Sequence, residues 1–171
     1  MSEAEQRARV AVVIPTHWDY RMGGSQYQAK LLIEELHRTF GAEIEYFTAR
    51  VGERTEFPDH RVVCVGHMNA LRRFGHFWDY FRLQKALQEF APDVIYQRVG
   101  CAYTGISVRY ARRFGVPMIW HLASRGDCSR PPPVSRLLGR PHTLVETRLA
   151  KLGARRADIV IAQSQDQMAL L

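Results

Sequence analysis

Two adjacent glycines and a serine, Gly23-Gly24-Ser25, follow the apolar run Val10-Ala11-Val12-Val13-Ile14-Pro15 and a short polar loop. They open an amphipathic stretch, so the pattern reads as a buried strand, a loop and a helix without side-chain bulk in its first turn. Bare backbone N–H groups there, with the positive end of the helix dipole, make a site for a phosphate or another anion. Adjacent glycines also let a ligand approach closer than a Cβ permits. Taken alone, the pattern describes an ordinary turn as well. Other reactive or polar residues follow strand candidates in the same way. They are His17, Trp18, Asp19 and Tyr20 after the first, Arg98 and Tyr103 after the fourth, and His121 at the end of the fifth, with Arg125 and Asp127 in the loop beyond it. An imidazole of ordinary pKa serves in either protonation state. From its surroundings alone, His121 reads first as a structural or merely exposed residue.

The elements that must position these residues are short apolar runs alternating with helix-period segments. Strands are expected at Val10–Pro15, Glu43–Thr48, Arg61–Val65, Val94–Gln97, Pro117–Leu122 and Asp158–Ala162. In the first helix Ala29, Leu32, Ile33, Leu36 and Phe40 share a face, and Gly41 stops it. In the second, Phe77, Phe81, Leu87 and Phe90 form a stripe ended by Pro92. A third spans Thr104–Phe114 before Gly115, and a fourth Thr143–Arg156. This alternation predicts an α/β fold: a Rossmann-like, doubly wound parallel sheet with helices on both faces. Most of the strands are apolar throughout, which suits a sheet covered on both sides. Ligands bind such sheets beyond the C-terminal strand ends, where the residues named above fall. The stretch from Ala123 to His142 is irregular and reads as a functional or a disordered loop. Ser164-Gln165-Asp166-Gln167 has the form of a capping box opening a new helix. The chain stops soon after it, so a fragment is expected, with a second domain following.

Bulk properties fit a single soluble domain. The chain has 171 residues, 46% of them hydrophobic and 24% charged. No run reaches the roughly 18 apolar residues of a membrane span, and the polar N-terminus is not a secretory signal. Three widely spaced cysteines, Cys64, Cys101 and Cys128, argue for reduced thiols and against a disulfide frame or a zinc site. A cytoplasmic location is expected, with a peripheral position at the inner membrane face left open. The net charge is +7, and 21 of the 24 basic residues are arginine. The plainer reading of the arginine excess is codon usage, while the charge itself favours anionic partners. The arginines are scattered, without a recognition-helix or RNA-binding pattern, so nucleic acid is not an expected partner. Leu71-Arg72-Arg73-Phe74 through Phe77-Trp78-Tyr80-Phe81 interleaves bases and aromatics. It reads as a core stripe with solvated arginines or as a surface resting on an anionic membrane.

The order of elements resembles a family. Gly23-Gly24 precedes a helix containing Glu34-Glu35-Leu36. Pro92-Asp93-Val94-Ile95-Tyr96 leads into a strand, Gly115-Val116-Pro117 leads into another ending at His121, and Glu146 and Ala157–Ser164 come last. Together these resemble the N-terminal domain of GT-B glycosyltransferases, in particular the retaining family 4 (group 1) enzymes. The resemblance implies one of two Rossmann-like domains facing a cleft, with the C-terminal nucleotide-sugar domain absent from this chain. It implies that Gly23, Gly24 and Ser25 approach the donor diphosphate and that His121 sits beside the transferred sugar. By their types and their places after strands, His17, Tyr20, Arg98, Tyr103 and Arg125 are the candidates for the acceptor side. The substrates implied are a nucleotide-sugar and a glycan, lipid-linked or small-molecule acceptor, transferred with retention. The fragment alone is expected to be inactive.

The residues suit that chemistry. Negative charge grows on a leaving diphosphate, and preorganised donors at Gly24 and Ser25 lower the barrier. The chain has no Asp-x-Asp motif, and neither a metal ion nor another cofactor is expected. Plainer readings stay open: His17–Tyr20 as a loop packing its own aromatics, Arg98 and Tyr103 as capping or packing residues, Arg125–Asp127 as an ion pair. Two other functions remain, a non-catalytic α/β module binding sugar or protein, and a dinucleotide-dependent oxidoreductase. The second is weakened because Met22-Gly23-Gly24-Ser25 lacks the G-x-G-x-x-G spacing and Phe47-Thr48 supplies no ribose-binding acid.

Overall fold

A computed structural model describes residues 7–66, 75–128 and 141–170 of the chain. The apolar runs form six strands: β1 (Arg9–Val13), β2 (Glu43–Thr48), β3 (Arg61–Cys64), β4 (Val94–Arg98), β5 (Met118–His121) and β6 (Ile159–Ile161). They make one sheet in the order β3-β2-β1-β4-β5-β6, parallel in every pair. This is the Rossmann order, and its topological switch lies between β1 and β4. The helices are α1 (Gly24–Phe40), α2 (Gly75–Phe90), α3 (Ala102–Phe114), α4 (Pro141–Arg156) and the single turn α5 (Gln165–Met168), with a 3-10 turn at Arg125–Cys128.

β1 is central, so both its faces are covered and Val10, Ala11, Val12 and Val13 are all buried. On one face Val10, Val12 and Ile14 pack with Ala29 and Ile33 of α1 and with Ile44, Tyr46 and Tyr96. On the other, Ala11 and Val13 pack with Leu83 and Leu87 of α2 and with Tyr103 and Ile106 of α3. α1 and α3 end as expected at Gly41 and Gly115, which hold φ of 58° and 69°, a conformation that favours glycine.

Several boundaries differ from expectation. β1 stops at Val13, because Pro15 has no N–H for the ladder, although the Ile14 N–H still reaches Phe47 O at 3.1 Å. β4 runs one residue further, to Arg98, which pairs with His121. α3 begins at Ala102 rather than Thr104, since Thr104 Oγ1 accepts the Cys101 N–H at 3.2 Å and serves as its cap. α4 starts at Pro141, a residue suited to the first helical position. The expected 123–142 loop contains the 3-10 turn, and its residues 129–140 lie outside the described residues, as do Leu71–Phe74 of the basic-aromatic stretch. Among the described residues no helix is long and apolar enough to cross a membrane.

Candidate functional site

The start of α1 is open. Its N-cap, Gly23, has no side chain to cap the first turn, and that turn carries no acidic residue. First-turn N–H groups have no intrahelical acceptor. A Cβ on Gly24 would meet nothing within 4 Å. At Gly24 the helix start is therefore open, while at Gly23 a Cβ would come within 2.8 Å of Gln26 Oε1, the end of a flexible side chain.

One turn further along α1, Gln28 reaches down to the ends of β4 and β5. Arg98 is only 1% exposed. Its Nη2 donates to Gln28 Oε1, and its Nη1 donates to His121 Nδ1 at 2.9 Å and to Tyr96 Oη at 3.4 Å. Gln163, just past β6, donates through Nε2 to Gln28 Oε1 at 2.7 Å and lies 3.4 Å from His121 Nε2. Every one of these partners is neutral. Among the described residues Arg98 has no carboxylate partner, and its Nε is buried without an acceptor. A buried cation without a counter-charge is costly, and an anion bound beside it would offset that cost.

Arg98 also fixes the chemistry of His121. A guanidinium only donates, and Nη1 lies nearer Nδ1, at 2.9 Å, than Nε2, at 3.4 Å, so the lone pair is assigned to Nδ1 and the ring proton to Nε2. Tyr96 Oη lies 2.6 Å from the same Nδ1. Burial, and then the Arg98 charge, lower the His121 pKa to about 4. At neutral pH His121 is an uncharged ring presenting an Nε2–H donor.

The glycosyl transferase 4-like domain family matches residues 23–171. The chain belongs to that family. No curated protein sequence matches significantly. Among solved structures, sucrose-phosphate synthase from Thermosynechococcus elongatus is 17% identical with a TM-score of 0.63, over 95% of this chain and 44% of that one. The glycosyltransferase WaaG of lipopolysaccharide biosynthesis is 13% identical with a TM-score of 0.63, over 94% and 40%. A UDP-GlcNAc 2-epimerase from Methanocaldococcus jannaschii is 9% identical with a TM-score of 0.57, over 95% and 41%. The chain thus spans less than half the length of these proteins. The shared Rossmann-like architecture is that of an N-terminal GT-B domain, and it also carries epimerases, so the fold alone does not select a reaction.

In this glycosyl transferase 4-like domain the residues expected on the acceptor side are placed unequally. His17 is not an open platform, because it is wholly buried. Its ring packs against Trp18, Tyr46 and Phe57 with centroids 4.0, 4.8 and 4.9 Å away. The connection between β2 and β3 folds over it. Of the loop's rings, Tyr20 is the most open, at 47% exposure. Arg98 is turned to His121 rather than to an acceptor surface. Tyr103 is buried, and its hydroxyl donates to Asp79 Oδ2 at 2.9 Å. Arg125 is exposed on the 3-10 turn, where Asp127 accepts the Ala123 and Ser124 N–H groups at 2.7 and 3.2 Å.

Tyr103 and Asp79 help line a hollow of about 280 Å³ with Thr16, Arg50, Cys101 and Glu146. It opens at the same end of the sheet as Arg98, against the opposite face. Burial pushes the Cys101 thiol up to about 12 and holds it neutral. After Arg98 the backbone turns at Val99, whose φ is 73°. A β-branched residue there is strained. Gln97 Nε2 holds the turn by donating to Arg98 O and Val99 O, each at 2.8 Å.

Sequence reasoning missed Gln28, Tyr96 and Gln163. Gln28 was discoverable as the residue one turn after Gly24. Gln163 becomes a site residue only because β6 lies beside β5.

The His17 cluster predicts a pH effect. The Asp19 N–H donates to His17 Nδ1 at 3.1 Å, so His17 Nε2–H donates to His60 Nε2 at 3.1 Å. His60 Nδ1–H then donates to Asp59 Oδ1 at 2.8 Å. Burial, then His60, lower the His17 pKa to about 4, and burial lowers that of His60. The unfolded chain takes up protons below its ordinary histidine pKa, near 6.5, while the folded chain resists them. Stability is therefore full above that pH and falls as pH drops toward 4, by about 3 kcal/mol from His17 alone. Urea midpoints at neutral pH and near pH 4.5 measure the fall, and His17→Gln flattens it. An unchanged slope in the variant assigns the effect elsewhere.

Proposed function

We propose that this chain is the acceptor-side half of a glycosyltransferase that moves a sugar from a nucleotide-sugar to a hydroxyl-bearing acceptor with retention. The observation that carries the reading is a buried arginine without counter-charge, one turn below an uncapped, glycine-lined helix start. The donor diphosphate sits across the Gly23, Gly24 and Ser25 N–H groups with Arg98 beneath. These fixed donors take up the negative charge that grows on the leaving diphosphate. His121 offers Nε2–H to a hydroxyl of the transferred sugar and acts as a positioning donor, since its Nδ1 is already engaged. The hollow with Asp79, Tyr103 and Glu146 receives the acceptor, its carboxylates suited to hydroxyl groups. No metal ion is part of this reading.

Calorimetric titration with UDP, GDP and NADH tests the reading. A nucleoside diphosphate is expected to bind and to shift the Gly24 and Ser25 amides and the His121 ring in NMR spectra, whereas NADH does not. Tight NADH binding with no response to UDP or GDP overturns it. In a protein that also carries the donor-binding half, His121→Ala lowers turnover by about tenfold, the worth of one hydrogen bond. The anomeric coupling of the product reports retention, and the 171-residue chain alone binds without transferring.

A further inference from the structure

The flank of the domain away from the strand ends holds a second cationic feature. Arg109, Arg112 and Arg113 of α3 and Arg156 of α4 line a groove of about 470 Å³, with Tyr80 and Gln84 of α2 forming its other wall. The sequence leads to this concentration of charge. α3 carries no acidic residue, and the only one in α4 is Glu146, near the opposite end. All four arginines are exposed, and among the described residues none joins an ion pair. Arg109 lies 5.9 Å from the Tyr80 ring centroid, and Gln84 is held in place by donating to Ile106 O at 2.8 Å.

A plainer account is that basic residues near helix C-termini offset the dipole. That covers Arg112, Arg113 and Arg156, which lie in last turns, but not Arg109, a turn further in. Each helix end presents only about half a negative charge, so two ends offset roughly one of four positive charges. What remains is a concave wall of guanidinium forks with an aromatic face opposite. Guanidinium forks match phosphate oxygens in pairs.

We propose that this groove binds a phosphate-bearing ligand, at a site separate from the start of α1. Such ligands come from two sources, free phosphorylated metabolites and the phosphates of anionic lipid headgroups. Trp78 and Phe81, exposed at 52% and 54% on the outer side of α2, make the second source physically reasonable.

The test uses tripolyphosphate as a soluble probe and vesicles of phosphatidylglycerol in phosphatidylcholine, with pure phosphatidylcholine vesicles as control. The Arg98→Gln background removes the charge at the other site. In that background, one probe is expected to shift the backbone amides of residues 109–115 and 152–156 and to bind more weakly as salt is raised. The double substitution Arg112→Ser with Arg113→Ser reduces affinity at least tenfold, while Arg38→Ser on α1 leaves it unchanged. Arg38, Arg112 and Arg113 are exposed, so the variants there are expected to fold, and circular dichroism checks them together with the buried Arg98→Gln background. Tripolyphosphate binding assigns a soluble ligand, and binding confined to phosphatidylglycerol vesicles assigns lipid phosphate. If neither probe moves those amides, or if the double variant binds as well as the native protein, the groove is not a phosphate site.

Discussion

Replacing Arg98 with methionine is expected to weaken nucleoside diphosphate binding by about 100-fold while leaving the thermal midpoint within a few degrees. The affinity loss follows from removing a charge-assisted donor at a buried position, worth about 1.5–3 kcal/mol. Fold stability behaves differently. Arg98 loses its bonds to Gln28, Tyr96 and His121, but the variant no longer buries an uncompensated cation. Exchanging a buried charge for an apolar side chain of similar volume is often neutral or stabilising. The same substitution moves His121. Of the two causes that lower its pKa, burial and the Arg98 charge, the second disappears, so the ring titrates at higher pH. The Cε1 proton of His121, followed by NMR across pH, reads that shift directly. Arg98→Lys separates charge from geometry: a lysine keeps the cation but loses the fork, so affinity falls between native and methionine. A merely structural Arg98 gives the reverse pattern, with a large loss of thermal midpoint and unchanged affinity.

The layout of the sheet was legible because hydrophobic pattern and punctuation agree along the chain. Val10–Val13 is apolar on both sides of the pleat, and Gly41 and Gly115 end their helices where the apolar stripes end. The uncapped start of α1 was legible for the same reason, since Gly23-Gly24 falls where a strand gives way to a helix. The state of the site residues was not. Arginine by type reads as a surface or ligand-facing residue. Arg98 is buried because β4 is a central strand and its neighbour in register is His121, a fact that exists only once the strands are paired. His17 misled in the same way. His-Trp-Asp-Tyr reads as a polar loop, yet His60, a partner 43 positions away, closes over it. Hydroxyl, amide and imidazole partners that meet across the sheet leave no periodic signature in one dimension.

Two glycines inside helices did leave a signature, and they support the second large prediction. Gly105 and Gly153 sit within α3 and α4, where glycine costs about 1 kcal/mol relative to alanine. By propensity alone, alanine should stabilise both. Packing reverses the sign. A Cβ on Gly105 would lie 2.2 Å from Leu149 O, and one on Gly153 would lie 2.4 Å from Thr104 Cγ2 and 2.7 Å from Thr104 C. Backbone atoms cannot rotate away, so the two helices must separate. Overpacking of this kind costs about 1–3 kcal/mol, and the closeness of the backbone contact puts Gly105→Ala toward the upper end. The consequence reaches the site, because Thr104 Oγ1 bonds Val99 O at 3.2 Å and accepts the Cys101 N–H. Pushing on Thr104 loosens the strained turn that carries Arg98. Gly105→Ala and Gly153→Ala are therefore expected to lower the urea midpoint and to weaken diphosphate binding together. Gly24→Ala supplies the contrast, since a Cβ there meets no protein atom within 4 Å. It leaves the midpoint unchanged or raised and still weakens diphosphate binding, because the methyl group occupies the space a phosphate needs. If Gly24→Ala binds normally while Gly105→Ala unfolds, the glycines of α3 and α4 remain packing devices and the bare start of α1 is only a turn.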